Sequence, residues 1–171
     1  MKMLGLSLFF VGLVSISCSD GSSSSSSASS SGSSGAQCTD YAVPASTDLK
    51  VPVVSFSKDV VPIFRTACAF ATCHGAQTGQ NQGLYLGSEA AKVHAGIVGV
   101  KARVLPTANY VTASAPKESF LMRKADGDHC TLAAQCTDKK CGDSMPQGSD
   151  KLPVADRDTI RRWIAQGAKN D

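Results

Sequence analysis

The sequence predicts a mostly α-helical domain in which short helices are joined by long, disulfide-stapled loops. Apolar residues recur at helical spacing towards both ends of residues 38–171. Pro, Gly and Ser are frequent between these stretches, which indicates many turns and a modest core. Six of the seven cysteines also lie in this region, whose roughly 130 residues correspond to one domain.

Residues 1–17 are predicted to be an export signal. Lys2 supplies the positive charge, and residues 4–16 form an apolar stretch that is too short for a comfortable membrane-spanning helix. Ser15 and Ser17 are small residues just before Cys18, a layout typical of lipoprotein processing. We therefore expect Cys18 to become the lipidated N-terminus; the alternative is simple secretion with Cys18 lost or free.

Residues 18–37 are predicted to be a linker between this anchor and the folded domain. Serine dominates the stretch, with a few glycines. Such a composition buries too little apolar surface to offset the entropy of ordering the chain. The expected location is the cell envelope, either periplasmic or on the outer surface, with the membrane contacted through the lipid.

Charge and motif content disfavour two classes of function. The net charge of +3 is too small to indicate a nucleic-acid partner. The sequence contains no G-x-S-x-G, H-E-x-x-H or paired-carboxylate arrangement, so hydrolase chemistry is not supported. We expect no catalytic residues of an enzyme in this chain.

The first predicted helix leads directly into a cysteine-rich motif. Residues 51–56 are rich in β-branched and aromatic residues and could be extended. Ser57 is a good N-cap, and Pro62 is still near the helix start. The apolar residues that follow at helical spacing are Val60, Val61, Ile63, Phe64 and Ala67.

The middle of the domain is predicted to alternate loops with short helices. A glycine-rich connection covers residues 75–87, and Leu84 and its neighbours are expected in the core. Ser88 can cap a helix over residues 89–96. The remaining assignments are an extended stretch at 98–105, a helix at 117–124 and a loop at 126–150.

The last helix has the clearest pattern. Over residues 155–166, Ile160, Trp163 and Ile164 follow the spacing of a buried stripe. Gly167 provides the expected C-terminal stop. The expected solvent-facing residues are Arg161, Arg162 and Gln166.

Cys68, Cys73 and His74 form the most informative motif of the chain. Two cysteines followed at once by a histidine are typical of covalent c-type haem attachment, where C-x-x-C-H is the usual form. Here four residues separate the cysteines. The residues alone leave two interpretations open: two haem thioethers, or a disulfide between Cys68 and Cys73 beside a surface histidine.

The other cysteines are expected to form disulfides, because an exported chain folds where these bonds persist. Apart from Cys18 and the motif, four remain, namely Cys38, Cys130, Cys136 and Cys141. Four cysteines have three connectivities, and the sequence does not choose among them. A zinc site is disfavoured by the oxidising compartment and by the lack of a second C-x-x-C pair.

The order of these features resembles the monohaem cytochrome c domains of exported bacterial lipoproteins, notably those of myxobacteria and planctomycetes. The resemblance covers nearly the whole domain, and its two ends are the most specific parts. Its sequence matches lie at residues 54–64, 68–75, 83–86, 119–124, 145–146 and 160–168.

This resemblance implies a cytochrome c-like fold that binds one covalent haem c and transfers single electrons to unknown redox partner proteins. Cys68 and Cys73 would form the thioethers, His74 would be the proximal iron ligand and Met145 the distal one. An imidazole paired with a thioether raises the reduction potential. The four-residue spacer departs from the usual pattern.

Three alternatives accompany this interpretation. His129 could replace Met145 as the distal ligand, whereas Met122 resembles a core residue beside Phe120. The domain could instead be a haem-free, disulfide-stapled surface module that keeps the fold and binds something else. It could also be one subunit or accessory of a larger oxidoreductase.

Overall fold

The computed structural model describes residues 38–76 and 83–171 of the 171-residue chain. The α-helices in these ranges are α1 (Val61–Ala67), α2 (Ala90–Ile97), α3 (Phe120–Asp126) and α4 (Val154–Ala165). The same ranges contain no β-strand, only isolated bridges. The mostly helical fold class is therefore confirmed, whereas its cytochrome c-like character remains a prediction.

The first helical segment begins earlier than the sequence predicts. A single π-helical turn, Phe56–Val60, precedes α1. Ser55, not Ser57, is the N-cap, because its hydroxyl accepts a hydrogen bond from the Lys58 amide while Asp59 accepts one from the Ser55 amide. This reciprocal capping draws Phe56 into the helix, so the predicted extended stretch ends before it.

The segments around α2 agree with the sequence in type but differ in detail. Helix α2 is shifted by one residue from the predicted range, and Glu89 occupies the N-cap position in place of Ser88. The stretch predicted to be extended makes only isolated bridges, from Val98 to Val111 and from Lys101 to Asn109. It therefore belongs to an irregular loop that folds back on itself.

The helix predicted at residues 117–124 is divided at Ser119. A 3-10 turn, Pro116–Glu118, ends before it, and α3 begins after it. The Ser119 side chain is buried, where its hydroxyl accepts a hydrogen bond from the Thr112 amide and donates to the Ala115 carbonyl. These bonds to the neighbouring backbone replace helix continuation at this residue.

The segment predicted as loop from residue 126 to 150 is partly helical. A 3-10 helix, His129–Gln135, lies within it. The two disulfides within the described residues both involve this region, joining Cys38 to Cys130 and Cys136 to Cys141. The pairing that the sequence left open is therefore one long-range link and one local link, separated by 92 and 5 residues respectively.

The core forms where α4 packs against the start of the domain. Trp163 stacks on Phe56 with ring centroids 4.6 Å apart, and His94 approaches Phe56 edge-on at 5.4 Å. Ile160 and Ile164 are fully buried, so the predicted apolar stripe of α4 is confirmed. These contacts join the two ends of the described domain.

The predicted solvent-facing side of α4 is wrong for Arg161, whereas Arg162 and Gln166 are partly exposed. Arg161 is only 2% exposed and makes two hydrogen bonds of 2.7 Å with the buried Asp126 carboxylate. Arg162 donates to the Asp48 carbonyl, and Gln166 accepts a hydrogen bond from the Val54 amide. This face of α4 instead binds α3 and the segment that precedes the first helix.

Candidate functional site

The cysteine–histidine motif forms a closed loop at the end of α1. The His74 amide donates to the Cys68 carbonyl at 3.0 Å, and the Cys73 amide donates to the Phe70 carbonyl at 2.9 Å. Gly75 closes the loop so tightly that a Cβ at this position would lie 2.2 Å from the Ala69 oxygen. Because any side chain would collide there, the loop requires glycine directly after the histidine.

The two motif cysteines are in different chemical states. Cys68 is a free thiol that is partly buried, and this burial raises its pKa to about 11. Cys73 is disulfide-bonded. Because Cys68 is free, the two cysteines are not bonded to each other, and the predicted alternative of a Cys68–Cys73 disulfide is wrong for this structure.

The His74 ring is oriented by a contact with the backbone of Leu84. Its Nδ1 lies 2.9 Å from the Leu84 carbonyl oxygen, and the Leu86 amide donates to the His74 carbonyl at 2.8 Å. A carbonyl can only accept, so Nδ1 carries the proton and Nε2 keeps its lone pair. Metal-bound histidines typically have their second nitrogen fixed in this way.

The surroundings of His74 favour its neutral form. Burial is the main cause that lowers its pKa, and the nearby Lys124 ammonium lowers it further, against the opposing effect of the Leu84 carbonyl. A neutral imidazole is the form that binds a metal. Burial therefore favours a neutral imidazole, and the Leu84 contact places its proton on Nδ1.

Met145 lies half-buried in the loop that follows the Cys136–Cys141 disulfide. Its amide donates to the Lys124 carbonyl at 3.0 Å, which attaches the loop to the C-terminal turn of α3. The peptide bond between Met145 and Pro146 is cis. Met122, in contrast, is 2% exposed within the core, as the sequence predicted.

His129 is the buried histidine that accompanies this loop. Its Nε2 lies 2.9 Å from the Gly142 carbonyl oxygen, while its buried Nδ1 has no hydrogen-bond partner. Burial lowers the pKa of His129, and the Lys124 ammonium adds to that effect. The imidazole therefore reinforces the Met145 loop through Gly142.

Lys124 was not identified from the sequence, although it connects these groups. Its ammonium donates to the Cys141 carbonyl at 2.7 Å and lies 5.9 Å from the centre of the Phe120 ring. Burial lowers its pKa to about 8. One sequence feature could have pointed to its contact with the ring: Lys124 lies four residues after Phe120, which places both side chains on one helix face.

His94 is a packing residue, although the sequence shows no obvious partner for it. Its Nε2 lies 2.7 Å from the Ala168 carbonyl oxygen, and its ring contacts Phe56 and Trp163. Leu86 is also buried in the core, in agreement with the preferred sequence interpretation. Neither residue is therefore assigned to the candidate site.

Two open depressions on the described surface lie away from the motif. One is polar and lies between Asp143 and Asp150; the other lies beside Trp163 and Gln166. Neither is lined by Cys68 or His74. The candidate site therefore consists of the loop from Cys68 to Gly75 and the loop that carries Met145. The described residues contain no cluster of three or more His, Cys, Asp or Glu suited to a metal ion.

The two candidate iron ligands have the chemistry of a haem with imidazole and thioether ligands. The two motif cysteines must meet a further requirement. His74 presents an oriented, neutral imidazole, and Met145 is a half-buried thioether. Both motif sulfurs must be thiols before they can form thioethers. Cys68 meets this condition, whereas Cys73 would first have to be reduced.

The predicted export signal, lipidation residue Cys18 and serine-rich linker lie outside the described residues, as do residues 77–82 of the glycine-rich connection. Among residues 38–76 and 83–171, no helix has the length and apolar character needed to cross a bilayer. Comparisons with known proteins find no matching family model, curated protein or solved structure.

Proposed function

We propose that residues 38–171 form a c-type cytochrome-like domain that transfers single electrons. Cys68 and Cys73 would hold one covalent haem c, with His74 as proximal ligand and Met145 as distal ligand. The observation that supports this proposal best is the 2.9 Å contact of His74 Nδ1 with the Leu84 carbonyl, which leaves Nε2 available. Bound haem iron supplies reversible one-electron chemistry.

The residues of the chain have separate tasks in this proposal. Leu84 orients the His74 imidazole and sets its tautomer, while burial keeps the ring neutral. The Lys124 carbonyl holds the Met145 amide. His74 and Met145 would each supply one ligand to the haem iron, and the group they hold would supply one-electron transfer, which suits an electron carrier and not an enzyme.

A spectrum and an intact mass test haem attachment. The full chain is expressed with haem-maturation machinery, and its reduced-minus-oxidised visible spectrum should show c-type bands with the mass of one haem added. His74→Ala should lose these bands or change them strongly. The matched control is His94→Gln, because glutamine can still donate to the Ala168 carbonyl that His94 contacts.

Absence of c-type bands, together with a mass that lacks haem, would overturn the proposal. Met145→Ala tests the distal ligand separately: the sulfur–iron band at the red end of the spectrum should disappear. An unchanged band would remove Met145 from the ligand set and direct attention to His129.

The two disulfides that staple the described domain, Cys38–Cys130 and Cys136–Cys141, favour a second candidate function. A domain that keeps Cys73 oxidised cannot form both thioethers, and it would act as a haem-free, disulfide-stapled binding module. Thiol counting distinguishes the two functions. In the haem-free module, Cys73 reacts with alkylating reagents only after reduction, whereas in the cytochrome it stays blocked under reducing conditions.

The proposed location is the cell envelope, with Cys18 carrying the lipid. The support is the apolar stretch, the small residues before Cys18 and the serine-rich segment after it. Cys18→Ser should move the protein from the membrane fraction to the soluble fraction. Retention of the variant in the membrane fraction would contradict lipid anchoring at this residue.

A further inference from the structure

The segment from Cys141 to Met145 is attached to α3 through a single residue. The Lys124 carbonyl accepts a hydrogen bond from the Met145 amide at 3.0 Å. The Lys124 ammonium donates to the Cys141 carbonyl at 2.7 Å. One lysine therefore holds both ends of this five-residue segment, once through its main chain and once through its side chain.

The Cys141 end of the segment is rigid for independent reasons. Cys141 is disulfide-bonded to Cys136, and its amide donates to the Asp138 carboxylate at 2.7 Å. Asp138 also accepts hydrogen bonds from the amides of Lys140 and Gly142. Because this turn is already closed, the contact from Lys124 sets its position relative to α3 and does not form the turn itself.

The ammonium of Lys124 also acts electrostatically on two histidines of the candidate site. Its charge affects both His74 and His129, although these residues belong to different segments. His129 contacts the same segment through the Gly142 carbonyl. Lys124 and His129 thus both contact the segment Cys141 to Met145.

We propose that Lys124 is the positioning residue for Met145, and that its ammonium holds the segment Cys141 to Met145 where the thioether can serve as the distal ligand. This inference rests on the proposed cytochrome function. A thioether ligand raises the reduction potential, so Lys124 would act on the potential through Met145.

The test compares Lys124→Met with Lys124→Arg and with Lys101→Met. Lys101 is an exposed lysine that donates to the Thr107 carbonyl, so its replacement removes the same charge and the same kind of hydrogen bond elsewhere. In the haem-loaded protein, Lys124→Met should lose the sulfur–iron band and lower the reduction potential. Lys124→Arg should keep part of the band and part of the potential, and Lys101→Met should change neither the band nor the potential.

A second measurement does not require haem. In the haem-free chain, the Met145 amide should exchange its hydrogen at least about tenfold faster in Lys124→Met than in Lys101→Met, since a hydrogen bond from a charged donor is lost. Far-UV circular dichroism confirms that each variant is folded. If Lys124→Met does not fold, Lys124→Gln takes its place.

The outcomes separate the inference from the proposed function. A haem-loaded Lys124→Met protein that keeps the band and the potential of Lys101→Met overturns the inference and leaves the cytochrome proposal standing. Unchanged exchange at Met145 also overturns it. A wild-type chain that never binds haem overturns the proposed function and, with it, the ligand-positioning role of Lys124.

Discussion

Arg161 and Asp126 form a buried ion pair between α4 and α3. Two hydrogen bonds of 2.7 Å join one guanidinium nitrogen to both carboxylate oxygens, and both residues are less than 10% exposed. Arg157 donates to the same carboxylate at 2.8 Å, and the Tyr41 ring covers both guanidinium groups. The pair thus connects the two helices that enclose the core with the segment at the start of the domain.

We expect Arg161→Met to destabilise the domain by about 1.5–3 kcal/mol, because the buried Asp126 carboxylate loses two charged hydrogen bonds and keeps only the one from Arg157. Its neighbour Arg162 provides a matched control, since it donates to the Asp48 carbonyl from a partly exposed position. Arg162→Met should cost about 1 kcal/mol or less. Urea denaturation measures both, and equal losses would contradict the buried-pair account.

In the haem-free chain, the Cys68 thiol should react slowly while the protein is folded. Its pKa of about 11, against an ordinary value of 9.0, lowers the thiolate fraction at pH 8 by roughly a hundredfold. Alkylation by iodoacetamide, followed by peptide mass mapping, should be slower by at least that factor than in urea-unfolded protein. Comparable rates in the two states would show that Cys68 is exposed.

The same thiol also has a predictable effect on stability at high pH. The folded state holds the Cys68 proton more tightly than the unfolded state, so its contribution is present below pH 9 and is lost between pH 9 and 11. Cys68→Ala should remove this loss. Denaturation curves of both proteins across that range provide the measurement, and parallel pH profiles would contradict the raised pKa.

Lys124 should change the pH dependence of stability in the direction opposite to that of Cys68. Burial lowers its pKa from 10.5 to about 8, so the unfolded chain holds the proton over a range in which the folded chain has released it. Stability of the wild type relative to Lys124→Met should therefore rise between pH 8 and 10.5. Urea midpoints at several pH values test this, and a falling difference would contradict the burial of the ammonium.

The two disulfides should contribute unequally to stability. Cys38–Cys130 closes a loop with a separation of 92 residues, whereas Cys136–Cys141 has a separation of 5. On chain entropy alone, removal of the long link should cost about 4–5 kcal/mol and removal of the short link about 2 kcal/mol. Double Cys→Ser variants of each pair, compared by urea denaturation, check the order.

The helices were the most predictable part of the fold. Helix α4 was expected at residues 155–166 and occurs at Val154–Ala165 with its apolar stripe buried. The division at Ser119 and the 3-10 helix at His129–Gln135 were missed. The division depends on hydrogen bonds of the buried Ser119 hydroxyl to the preceding turn, and the 3-10 helix contains Cys130, which is bonded to Cys38. Apolar periodicity contains neither constraint.

The members of the candidate site remain a prediction from the sequence, and the structure adds their backbone contacts. Cys68, His74 and Met145 were identified from motif spacing and resemblance, and the structure supplies the Leu84 contact that orients His74. Lys124 escaped notice because a lysine at the end of a helix is ordinarily solvent-exposed. Its burial follows from the packing of the Cys136–Cys141 turn against α3.

The sequence by itself determined the helical class, the apolar stripe of α4 and the order of the cysteine–histidine motif and Met145, because periodicity and spacing are local properties of a chain. The tertiary structure decided which cysteines pair, which nitrogen of His74 is left available and why Arg161 is buried. Each of these depends on groups that are distant in sequence and meet only when the core forms. Sulfur pairing and charge burial are consequences of that long-range packing.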